Sequence, residues 1–304
     1  MESVLIYTVQ SGPIWDWRVV VDLFCGGVGV GAFLLAVALS RSEDVQRLKL
    51  AQTAAFTGPV MVIVGLLFLF TKLGNQLNVH QMILNVAPTS IMWWGFLLQG
   101  ALVLCGLIYA WQWRDINARS GRNTMGCLVG VLAVTVGIYH GVLLGALTAR
   151  PLWANGSMLF LSVSIFLSTG IAGALLIHYI RMGASGDGAA MRPVFVALAV
   201  SLMVTMIALA NSWAGLNYGS LASQQALAAA SDTYGTMLCG VGVGMGLILP
   251  LILLMPVLRR RDEYGGLSLP VIALACLLVL VGGFATRYVV VLGGQLPPPI
   301  ATLS

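Results

Sequence analysis

Charge is what this sequence has least of. Only 8% of its 304 residues are Asp, Glu, Lys or Arg, against 59% hydrophobic, which excludes a soluble globular fold. Histidine is nearly absent, with His80, His140 and His178 the whole supply. A transmembrane b-type haem held by two histidines needs both at one depth. His140 and His178 fall towards opposite faces and His80 lies in a link, so no haem is expected. The five cysteines (Cys25, Cys105, Cys127, Cys239, Cys276) stand singly within apolar runs, with no CxxC pair. They read as small core residues, and no iron–sulfur cluster is expected in this chain. No basic n-region precedes the first apolar run, so a cleavable signal peptide is not expected either. The net charge of +5 does not make a nucleic-acid surface, because the basic residues sit in short loops.

Long apolar runs are what the chain has in abundance. Eight segments approach the roughly 20 residues a bilayer span requires: 17–39, 53–72, 90–112, 124–147, 156–180, 193–213, 234–257 and 268–292. They are too long and continuous for barrel strands, so the expected fold is an all-α integral membrane protein of eight transmembrane helices. Segments 72–89 and 214–232 read as polar links, and Pro297–Pro299 as a stiff tail. Loops 40–52, 113–123, 181–192 and 258–267 hold eleven of the fifteen Lys and Arg. The positive-inside rule puts those loops in the cytoplasm and both termini outside it. Pro13-Ile14-Trp15 before span one is echoed by Pro151-Leu152-Trp153 before span five. Two four-helix bundles, as repeat halves 1–147 and 148–304, are therefore expected, with chance likeness between apolar helices the alternative.

The stretch Trp15–Ala36, WDWRVVVDLFCGGVGVGAFLLA, organises the rest. A lone carboxylate, Asp22, lies inside the apolar run, where an acid is costly and marks a pathway or a ligand site. Gly27 and Gly31 are spaced as GxxxG, which lets another helix backbone approach. Other polar residues gather at the same face: Asp16, Lys72, Asn75, His80, Tyr139, His140, Arg150, Asn155 and Arg287. An acid, an imidazole, a phenol and a guanidinium at similar depth suit a proton-handling pocket. Blander readings stand beside this one. Asp22 forms a salt bridge with Arg287 or Lys72, His140 bridges helices, Arg287 snorkels outward, and Trp15, Trp17, Trp93, Trp94 and Trp153 form an interfacial belt. Smaller polar groups continue inward, namely Gln99, Thr135, Ser162, Ser164, Ser168, Thr169, Ser201, Thr205 and Asn211. They make either a proton wire or bonds to their own helix carbonyls.

WDWRVVVDLFCGGVGVGAFLLA resembles the first helix of the NrfD/PsrC family of quinone-interacting membrane subunits. YHGVLLGALTARPLWAN, from Tyr139 to Asn155, resembles that family's fourth helix and the loop after it. The resemblance covers essentially the whole chain. It implies a bacterial inner-membrane subunit that oxidises quinol or reduces quinone, menaquinone or ubiquinone, near the outer face. It also implies a ferredoxin-like partner with four 4Fe–4S clusters, and a molybdopterin or other catalytic subunit beyond it. Carried over by motif, Asp22 and its neighbours and Tyr139 line the site, whereas His140 departs from the threonine or proline expected there. The candidate residues are thus Asp22 and His140 for protons, with Tyr139, Arg287, Asp16 and Asn155 around the ligand. The rival readings are a proton-coupled secondary transporter, whose site belongs near the midplane, and a structural anchor without a quinone site.

Overall fold

A computed structural model describes residues 15–74, 76–116, 121–182, 188–259 and 268–296. Asn75, Arg119, Arg260, Arg261, Pro13, Ile14 and the Pro297–Pro299 run lie outside the described residues. Among the described residues, eight helices are long and apolar enough to cross a membrane. They are α1 (Trp17–Leu39), α2 (Val45–Lys72), α3 (Ile91–Gln112), α4 (Arg122–Gly145), α5 (Met158–Met182), α6 (Gly188–Asn217), α7 (Leu221–Arg259) and α8 (Ser268–Gly293).

Capping residues set several helix starts, because the first backbone N–H groups of a helix need acceptors. Asp16 accepts from the Arg18 N–H at the head of α1, Asp44 from Arg47 at α2, and Ser90 from Trp93 at α3. The Asp44 cap starts α2 eight residues before its apolar run at 53. The larger correction concerns 214–232, expected as a polar link. Ser220 caps a helix from Leu221, and the Ala-rich stretch behind it has strong helix propensity. That helix runs through wider π-helical turns (Met237–Ile248) into Leu249–Arg259 as one 39-residue rod. Only residues 218–220 separate it from α6.

Neighbouring helices close two rings. Helix α1 packs on α2, α2 on α3, α3 on α4 and α4 back on α1. The second half repeats this scheme: α5 on α6, α6 on α7, α7 on α8 and α8 back on α5. The rings meet mainly where α1 lies against α5. These two helices are the enclosed ones, 83% and 72% buried over their apolar windows, while no other exceeds 44%. Such enclosure requires small residues at the crossings. A Cβ on Gly31 would strike the Phe166 carbonyl and Gly170, and one on Gly29 would lie 2.7 Å from the Gly58 carbonyl of α2. The Gly27–Gly31 spacing therefore serves the close approach expected of it.

A clasp closes the end of the fold where α1 begins. The Gln295 side chain accepts from the Trp15 N–H at 2.8 Å and donates to the Trp15 carbonyl at 2.8 Å. Trp15 stacks on Trp153 with ring centroids 5.1 Å apart. Trp153 is only 2% exposed and donates to the Val290 carbonyl at 2.7 Å, so it belongs to the core and not to a belt. Arg150 adds a bond to the Gln295 carbonyl at 3.1 Å. The clasp thus ties α1, the α4–α5 turn and the end of α8 together.

Gln295→Leu removes both bonds to Trp15. At about 0.5–1.5 kcal/mol net per bond, it should destabilise this end by about 1–3 kcal/mol. Hydrogen exchange should then quicken in the first turn of α1 and stay unchanged in the middle of α6.

Candidate functional site

Where α1 begins, α2 ends, α3 begins and α4 ends, the first ring encloses a cavity of about 260 Å³. Its wall is largely aliphatic and aromatic, from residues such as Leu23, Leu69, Phe70, Met92 and Phe96. Four polar side chains break it: Asp22 of α1, Gln99 of α3, and Tyr139 and His140 of α4. The volume is just below the roughly 300–1,000 Å³ usual for small-molecule pockets, and an apolar wall with a few convergent polar groups is the usual pattern.

Asp22 and His140 carry fully covered polar atoms without the partners that burial demands. Asp22 is 4% exposed, and its Oδ1 is sealed from solvent with no hydrogen bond. His140 is 1% exposed, and neither ring nitrogen is hydrogen-bonded. The Val136 carbonyl one turn back lies close enough to influence the imidazole without meeting hydrogen-bond geometry. Leaving a buried polar group unpaired costs about 1–3 kcal/mol. Unpaired groups that line a cavity are the groups a polar ligand would satisfy.

Glycines on neighbouring helices set the depth of each group. A Cβ on Gly65 of α2 would lie 3.0 Å from Asp22 Oδ1, and one on Gly26 of α1 would lie 3.3 Å from His140 Cε1. One on Gly95 of α3 would fall onto the Tyr139 hydroxyl and ring. Each functional side chain is thus seated against a glycine on an adjacent helix. The imidazole also meets Phe166 edge-on at 5.4 Å.

The other residues expected here go elsewhere. Arg287 is 1% exposed, so it does not snorkel; it donates to the Ser162 hydroxyl at 3.1 Å and the Ser162 carbonyl at 3.0 Å. Its guanidinium lies over Phe166 at 4.3 Å, on a ring that also meets His140, and it does not line the cavity. Asp16 is outside the cavity, where it pairs with Arg18 at 3.1 Å and Lys72 at 3.3 Å. Lys72 is therefore spent on Asp16, and among the described residues Asp22 forms no ion pair. Burial would push the Asp16 carboxyl up, but the Arg18 N–H, Lys72 and Arg18 together hold it below its ordinary 3.8. The stabilisation is present above that ordinary value and fades as pH falls through the lowered one. Asn155 donates to the Ser212 carbonyl at 3.0 Å and accepts from the Ser157 N–H at 3.2 Å, a structural role. His80 bonds the Leu77 carbonyl at 2.8 Å, one turn back.

The inward hydroxyls mostly turn back on their own helices. Thr135, Ser164, Ser168, Thr169, Ser201 and Thr205 each bond a carbonyl three or four residues earlier. That is the local bonding weighed against a wire. The sequence places Gln99 among these inward groups, and only the fold puts it in the cavity. The seating glycines had a faint signal, as single glycines in long apolar helices.

Gly95→Ala should cost about 1–3 kcal/mol, as overpacking usually does. Shortening Tyr139 in the double variant Gly95→Ala/Tyr139→Leu should recover part of that loss in thermal melts. Gly100→Ala is the control, because a Cβ there meets nothing within 4 Å, and its gain in helix propensity should hold or slightly raise the melting temperature.

Known proteins resemble this chain over nearly its whole length. The family model for polysulphide reductase, NrfD, matches residues 8–299. Protein NrfD of Escherichia coli is 28% identical over 93% of this chain and 95% of its own. Its homologue in Haemophilus influenzae is 26% identical over 93% and 95%. The C subunit of polysulfide reductase from Wolinella succinogenes is 26% identical over 93% and 94%. With its eight apolar helices and a family match over nearly its whole length, this chain belongs to the polysulphide reductase NrfD family of membrane proteins.

Proposed function

We propose that this chain binds a quinone or quinol in the first-ring cavity and exchanges its electrons with a docked iron–sulfur subunit. The single observation that carries this reading is one cavity holding Asp22, the lone carboxylate of an apolar span, beside His140 with both ring nitrogens unpartnered. A flat, mostly apolar head group with polar atoms at its edges fits that wall. Phe70 of α2 and Met92 of α3 line the cavity and are themselves 39% and 56% exposed, which suits the approach of a lipid-soluble ligand from the bilayer.

A bound quinol supplies two electrons and two protons, the electrons passing to the partner's clusters. Asp22 and His140 are the groups in this cavity able to accept those protons, and to return them when the direction reverses. Helical side chains lean towards their own N-terminus. Asp22 therefore leans towards the mouth of the cavity, a short path to water, while His140 leans inward. The Tyr139 hydroxyl supplies a neutral hydrogen bond that orients the ring.

The family, and the name of the Wolinella succinogenes relative as one subunit of polysulfide reductase, support a place within a multi-subunit redox complex. The distribution of basic residues favours an extracytoplasmic mouth in a bacterial inner membrane. The partner is then a ferredoxin-like four-cluster subunit on that side, with a molybdopterin or other catalytic subunit beyond. The outer links 72–89 and 148–155 and the exposed start of α7 form its landing surface. The shared neighbour scheme of the two rings favours reading halves 1–147 and 148–304 as repeats. The cavity lies towards one end of the bundle, where a secondary transporter would place its site near the midplane.

Asp22→Asn keeps shape and hydrogen bonding but removes the titratable group. Quinone-linked turnover of the assembled complex should fall about 10²-fold or more. Electron transfer from an artificial donor to the partner's clusters should survive. Tyr139→Phe should cost a single hydrogen bond, about 0.5–1.5 kcal/mol. Wild-type quinone-linked rates from Asp22→Asn in a complete complex would make Asp22 a structural acid and move the site elsewhere.

A further inference from the structure

The cavity contains one polar side chain that the reading above leaves without a role. Gln99 is 4% exposed and lines the cavity, yet its amide makes no hydrogen bond among the described residues. Gln99 thus stands with Asp22 and His140 as a cavity-lining polar side chain without a hydrogen-bond partner among the described residues.

Helix contacts give its depth. Gly95 is level with the Tyr139 side chain, and Gln99 follows Gly95 by four residues on α3. At 1.5 Å per residue it lies about 6 Å further in. At the other end, Gly26 is level with His140, and Asp22 precedes it on α1 by four residues, about 6 Å nearer the mouth. The order from mouth to floor is thus Asp22, then Tyr139 and His140, then Gln99. Because α3 begins at the mouth, the Gln99 side chain leans outward into the cavity, towards the inward-leaning His140.

We propose that Gln99 holds the inner oxygen of the quinone ring, at the floor of the cavity. This rests on the quinone reading above. A para-quinone carries its two oxygens at opposite ends of a flat ring, so it needs polar contacts at two depths. Asp22 and Tyr139 serve the outer one. A primary amide suits the inner one because it donates to a carbonyl and accepts from a hydroxyl. Gln99 therefore holds the oxidised and reduced ligand alike without changing its own charge, while the inner hydroxyl proton goes to His140. Gln99 is a positioning residue, and its loss should alter binding and ring orientation more than proton transfer.

The test uses the assembled complex in lipid nanodiscs and menadione as the probe. Binding is read by quenching of tryptophan fluorescence, and infrared difference spectra use menadione carrying carbon-13 at one or the other carbonyl. Wild type should show two carbonyl bands lowered by different amounts. Gln99→Met, of similar length but without the amide, should weaken binding about three- to tenfold, as loss of one hydrogen bond does. It should also release one carbonyl band towards its free position, while Tyr139→Phe releases the other. If Gln99→Met does not assemble, Gln99→Asn, which shortens the reach of the amide by one methylene, should release the same band. No saturable binding of menadione to wild type would overturn the quinone reading and this inference with it. Wild-type binding with unchanged affinity and both bands unmoved in the Gln99 variant would overturn this inference alone.

Discussion

The fold depends on enclosing one helix. Helix α1 is buried on nearly every side, and a helix so surrounded has room only where side chains give way to backbone. Its glycines provide that room, with Gly29 against α2, Gly31 against α5 and Gly26 beneath His140. In lipid no hydrophobic force draws one apolar helix to another, so close packing and interhelical bonds must hold the bundle together. The glycine crossings provide the first and the Trp15–Gln295 clasp part of the second. Once α1 is fixed this way, Asp22 is buried without an ion pair among the described residues, and it lines the cavity.

The energetics of the two rings differ accordingly. In the second ring the buried Arg287 has partners for part of its guanidinium: it bonds Ser162 twice and lies over Phe166, with Nε left unbonded. In the first, Asp22 and His140 are sealed yet unpaired. A membrane protein retains such groups at a cost, and their usual reason is a ligand or a proton path. Phe166 separates the two regions, taking the guanidinium on its face and the imidazole at its edge. The fixed positive charge thus stays near the site without occupying it.

Much of this was readable in the chain itself. Eight helices, the close approach at Gly27–Gly31, and the meeting of Asp22 with Tyr139 and His140 follow from hydropathy, spacing and motif. The misreadings have physical causes. Residues 214–232 looked like a link because their serines and glutamines are polar, but polarity does not oppose helix formation when alanine dominates outside the hydrocarbon. Arg287 shared the depth of the site residues, but depth along a helix says nothing of the direction a residue faces. Asp16 and Asn155 sat beside motif residues and were consumed by local needs, an ion-pair cluster and a turn. Gln99 and the seating glycines depend on which helices neighbour each other, which no single segment encodes.

The central claim is that the quinone ring sits in the first ring of helices, between the mouth at Asp22 and the floor at Gln99. Photolabelling the assembled complex with an azidoquinone, followed by peptide mapping, tests it most directly. The account predicts label on α1 near Trp15–Leu23, on α2 near Leu66–Leu73 and on α3 near Met92–Gly100, all suppressed by excess unlabelled quinone. Competable label confined to α5–α8 would contradict it.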